Sequence, residues 1–71
     1  MTHRNSEVKY PGVFVPLVGQ DGNAFAILGR VTRALRAAKV PTTEIDKYRK
    51  EATSGDYDHL LVTCIKWVDT Y

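Results

Sequence analysis

Seventy-one residues make one domain, and a chain this short buries only about 60% of the surface that it exposes when unfolded. With 44% hydrophobic and 25% charged residues, and no repeat, low-complexity tract or membrane-length apolar run, the chain reads as globular rather than disordered, solenoidal or membrane-spanning. The net charge of +2 is too small to decide a function, but it is unevenly spread: +1 over residues 1–20, +3 over 21–40 and −2 over 41–71.

A single cysteine, Cys64, excludes an intrachain disulfide. His3 and His59 stand far apart and Cys64 has no second cysteine, so the sequence offers no structural metal set and no cofactor is expected. Stability must then come from helix packing or self-association, which leaves a homodimer as an open reading. The segment Met1–Glu7 lacks the apolar run of a signal peptide, and with a lone thiol it points to a reducing cytoplasm.

In chain order, residues 1–7 are polar and read as a flexible arm. From Val8 to Gly19 the chain is rich in β-branched residues and reads as extended; Pro11-Gly12 is a turn pair that could fold Val8–Tyr10 back on Val13–Val15. Pro16 cannot donate to a ladder and confines this stretch to a sheet edge. The loop 19–23 then feeds a first helix, with Asp21 or Asn23 as cap. Ala24, Ile27, Leu28, Val31, Leu35 and Ala38 recur at helical spacing up to about Lys39 or Val40, where Pro41 stops the helix. Phe25 falls off that stripe beside Gly29, a helix-interior glycine suited to close approach of another backbone, either the N-terminal strand or a second subunit.

A second helix is predicted from Thr42 or Thr43, both good caps, to about Ala52, with Ile45, Tyr48 and Ala52 inward. Thr53-Ser54-Gly55 breaks the chain, with Gly55 suited to a left-handed backbone. After Asp56, the residues Tyr57, Leu60, Leu61, Cys64, Trp67 and Val68 follow a helical spacing that Tyr71 continues. The expected fold class is mostly α: three amphipathic helices with a short extended N-terminal strand or hairpin, a helix-dominated α+β domain over residues 8–71.

Four places carry groups with chemistry. Cys64 lies on the apolar stripe with His59 turned away from it, so it reads as a core residue and not as a nucleophile. Asp56, Asp58 and His59 offer two carboxylates and an imidazole, yet carboxylates in a first helical turn are what capping and the helix dipole favour. The loop 19–23 leads from strand to helix like a phosphate-binding turn, but it lacks the Gly-x-Gly-x-x-Gly and Gly-Lys-Ser/Thr spacings, and Asp21 would repel a phosphate. Arg30, Arg33, Arg36 and Lys39 read as a basic face on the first helix, able to hold an acidic protein or nucleic-acid phosphates.

The runs Asp21–Phe25, Ile27–Val31, Ala34-Leu35, Glu51–Leu61 and Trp67-Val68 resemble a group of small uncharacterised proteins of bacteria and their phages over residues 13–69. The specific part is Glu-Ala-Thr-Ser-Gly-Asp-Tyr-Asp-His-Leu-Leu. The resemblance implies a stand-alone protein of phage or mobile-element origin and carries no catalytic residue with it.

The function expected is a non-enzymatic binding protein with an unknown protein partner, acting through the first helix or the two loop–helix junctions. Its binding candidates are Asp21, Asn23, Arg30, Arg33, Arg36, Lys39, Asp56, Asp58 and His59. The alternative is phosphate-led nucleic-acid binding by the basic face, because the segment from Val13 to Val18 has no side chain that reads a base edge. Were the chain an enzyme, Asp56, Asp58 and His59 would be the residues to test.

Overall fold

A computed structural model describes residues 8–71; the segment read as a flexible arm lies outside the described residues. The order is β1 (Tyr10–Val15), α1 (Ala24–Ala37), α2 (Thr42–Ala52), α3 (Tyr57–Trp67) and β2 (Val68–Thr70). Three helices thus form the crossover between two short parallel strands, the helix-dominated α+β class that the apolar spacing predicts.

The strand β1 does not fold back as a hairpin. Gly12 does take a left-handed φ of 95°, but inside the strand, where the register slips between Tyr10↔Val68 and Phe14↔Asp69. The Gly12 N–H donates to Asp69 Oδ2 at 3.0 Å, so Pro11-Gly12 makes a bulge in place of a turn. The partner strand comes from the C-terminal end, where the sequence pattern predicts continued helix. Helix α3 stops at Trp67, Val68 turns extended (φ −138°, ψ 167°), and the pairing runs past β2. There, Tyr71 N–H donates to Val15 O at 3.2 Å, and Leu17 and Val18 N–H donate to Tyr71 O. No glycine or proline marks this break; two β-branched residues, Val68 and Thr70, and an available ladder decide it.

Helix α1 also ends earlier than expected. Ala38 is its C-cap and Lys39 sits at φ 67°. Lys39 N–H donates to Arg36 O (2.9 Å) and Val40 N–H to Leu35 O (3.1 Å), the paired bonds of a Schellman turn, with a lysine where glycine is usual. Thr42 opens α2 without capping it: Pro41 holds the cap position with no side-chain bond, and its carbonyl accepts from Glu44 and Ile45 N–H.

The helices bury Ile27, Leu28, Val31 and Leu35 of α1, Ile45, Tyr48 and Ala52 of α2, and Leu60, Cys64 and Trp67 of α3, against Val15 and Val68 of the strands. Each fully buried aliphatic contributes about 2 kcal/mol. The Tyr48 hydroxyl and Cys64 Sγ lie 3.3 Å apart in this core, and burial pushes the Cys64 thiol up despite that bond. Trp67 stacks on Tyr10 (5.8 Å) and meets Tyr48 edge-on (5.7 Å), with Lys9 Nζ 4.3 Å from its ring centre. Glu44 accepts from the Tyr10 hydroxyl at 3.2 Å and pairs with Lys9 and Lys47, which ties β1 to α2. The Lys47 ammonium, joined by Lys9 and Tyr10, holds the Glu44 carboxyl below its ordinary range.

Candidate functional site

Loop 19–23 reaches α1 through two short bonds. Asp21 Oδ1 accepts from Asn23 N–H (3.0 Å), and Asn23 Oδ1 accepts from Phe25 N–H (2.8 Å). Asn23 is therefore the cap, and Asp21 shapes the turn before it. Asp56 caps α3 in the same manner, its Oδ1 accepting from His59 N–H at 2.9 Å. The Tyr57 hydroxyl donates a short hydrogen bond to the Gly22 carbonyl, which fixes the two junctions side by side although 35 residues separate them. A Cβ at Gly22 would stand 3.3 Å from the Tyr57 hydroxyl oxygen, so glycine eases the approach.

His59 closes the turn between α2 and α3. Its Nε2 lies 2.8 Å from the Glu51 carbonyl oxygen and 3.1 Å from Ser54 Oγ, and Ser54 donates to the same carbonyl at 2.7 Å. A carbonyl only accepts, so Nε2 carries the proton. Gly55 serves this contact. It is absent from the left-handed residues, contrary to expectation, but a Cβ there would fall 2.9 Å from His59 Cβ and Cγ. Asp56 and His59 are thus engaged in holding the chain, while Asp58 stands exposed in the first turn of α3. Among the described residues no three His, Cys, Asp or Glu side chains gather as a metal set.

Arg30, Arg33, Arg36 and Lys39 do not form one face. A step of three residues falls about 60° short of a turn, so Arg30 and Lys39 diverge by roughly half a turn. Arg30 is half-buried and donates through Nη2 to Asp21 O at 3.2 Å; its other terminal nitrogen is buried without a partner. Lys39 lies beyond the helix. Arg33 and Arg36 remain as an exposed pair.

The junction exposes a feature that the charged residues do not announce. Phe25 is 83% exposed, Val18 82%, Tyr71 62%, Ile65 56% and Tyr57 45%. Tyr57 is the common wall of two grooves. The larger, about 450 Å³, runs between Val18, Ile65 and Tyr71; the smaller, about 250 Å³, lies behind Phe25 and over Leu28 and Leu60. Monomers expose single apolar side chains freely but rarely a connected strip of them. The sequence holds part of this signal. Phe25 lies off the α1 stripe, and α3 carries Leu60, Leu61, Val62, Cys64, Ile65 and Trp67, more apolar positions than one face can bury. Gly29 does not receive a backbone, since a Cβ there would meet nothing within 4 Å.

Against known proteins, the chain matches no family model, no curated protein and no solved structure. No helix of the described residues is long and apolar enough to cross a membrane.

Proposed function

We propose that this chain is a small non-enzymatic interaction protein that holds a protein partner on the apolar strip where the α1 and α3 junctions meet. The observation that carries the reading is the strip itself: four large apolar side chains exposed around one hydrogen-bonded tyrosine. The competing chemistry is otherwise occupied. Asp56 and His59 hold backbone groups, and Cys64 is buried with its thiol pushed up.

The second reading, phosphate-led nucleic-acid binding, draws on the exposed pair Arg33 and Arg36. Quantitative recovery on the tagged chain separates the two. Phe25→Ser with Ile65→Ser should lose the recovered protein and Arg33→Glu with Arg36→Glu should keep it, both melting like wild type. Loss by the charge reversal alone, with an absorbance signature of nucleic acid that salt removes, would transfer the function to α1.

A further inference from the structure

Three carboxylates border the apolar strip. Asp56 lines the smaller groove. Asp58 lies three and seven residues before Leu61 and Ile65, which puts all three on one face of α3 at the end of the larger groove. Asp21 precedes Gly22, whose residue forms part of that groove's wall. Among the described residues, no lysine or arginine lines either groove, and Arg30 is held on the Asp21 carbonyl. The helix N-termini do not offset these carboxylates for a ligand, because Asn23 and Asp56 already cap them.

A second copy of the chain is a poor occupant of such a surface. An isologous contact would bring six carboxylates around one apolar strip with no cation from the groove walls, and like charges face to face oppose association. An apolar segment flanked by cations meets both features at once. We infer that the strip seats a basic amphipathic segment of a partner protein, its apolar side chains filling the two grooves beside Tyr57 and its lysines or arginines facing Asp21, Asp56 and Asp58. The inference rests on the binding-surface reading above and specifies the chemistry of its partner.

The test is selection of displayed random amphipathic 16-residue peptides on the full wild-type chain, with each winner then assayed on Phe25→Ser. The expected winners bind wild type, lose binding on Phe25→Ser and carry net positive charge beside an apolar stripe. Asp58→Asn, which removes one rim charge and no side-chain hydrogen bond, then weakens the winners about threefold, the size of a rim ion pair. Winners that are neutral or acidic yet still need Phe25 would overturn the partner chemistry and leave the binding surface standing. A concentration-dependent dimer that Phe25→Ser abolishes would do the same in favour of a second copy. Winners indifferent to Phe25, or none, would overturn both.

Discussion

Lys39 occupies the left-handed position that closes α1, and the cost of placing it there is measurable. An L-residue in this region loses about 1–2 kcal/mol to the contact between Cβ and the carbonyl oxygen. Glycine escapes that contact but gives back about 0.5–1 kcal/mol through its greater freedom in the unfolded chain. Lys39 also complements the C-terminal end of the α1 dipole, an effect that salt screens. Lys39→Ala removes the charge and keeps the strain, whereas Lys39→Gly removes both. In thermal melts at 0.5 M NaCl, Lys39→Gly should therefore exceed Lys39→Ala by about 1 kcal/mol, or roughly 4–8 °C in Tm for a domain of this size. The bonds from Lys39 and Val40 N–H to Arg36 and Leu35 O are backbone bonds and persist in both variants. Equal melting of the two variants would refute the assignment of a strained Schellman turn at Lys39.

The remaining predictions concern the core, the thiol and pH. Thr32 is buried with its hydroxyl unpartnered, so Thr32→Val should be neutral or stabilising by about 1 kcal/mol in urea unfolding; a loss of stability would show that the hydroxyl has a partner. Cys64 should resist a thiol reagent at pH 8 in the native protein and react fully in denaturant, and rapid native modification would contradict its burial beside Tyr48. The Glu44 carboxyl titrates below its unfolded value, so its stabilisation is complete above the ordinary carboxylate range and is lost as pH falls through the folded value. Melts of wild type and Glu44→Gln should converge as pH drops from about 5 to 3, and parallel curves would remove the Lys47–Glu44–Lys9 pairing from the account.

The helices were legible because their apolar spacing matched their burial: Ile45, Tyr48 and Ala52 point inward as the period requires. The strand pairing was not, because Pro11-Gly12 reads as a turn in any local window, and only the distant Asp69 carboxylate and Val68 make it a bulge. Loss of helix after Trp67 is the same failure seen from the other end, a local pattern overruled by a ladder to β1. At the site, the capping roles of Asn23 and Asp56 follow from residue type alone. The meeting of the two junctions does not, since it rests on tertiary contacts: the bond from Tyr57 to Gly22 and the shared core of Leu28 and Leu60. Arg30, Arg33, Arg36 and Lys39 read as one face because they recur every three residues; the helix turns by 3.6, α1 stops before Lys39, and Arg30 is drawn to Asp21.

The central claim is that binding occurs on the strip around Tyr57 and not on the cations of α1. The most direct measurement is an amide chemical-shift map of the full chain, titrated with its tightest selected peptide and, in parallel, with a short DNA duplex at physiological salt. The account predicts that the peptide moves the resonances of Val18, Phe25, Tyr57, Leu61 and Ile65 while the duplex moves none of them. Shifts centred on Arg33 and Arg36, produced by the duplex and abolished by salt, would contradict it.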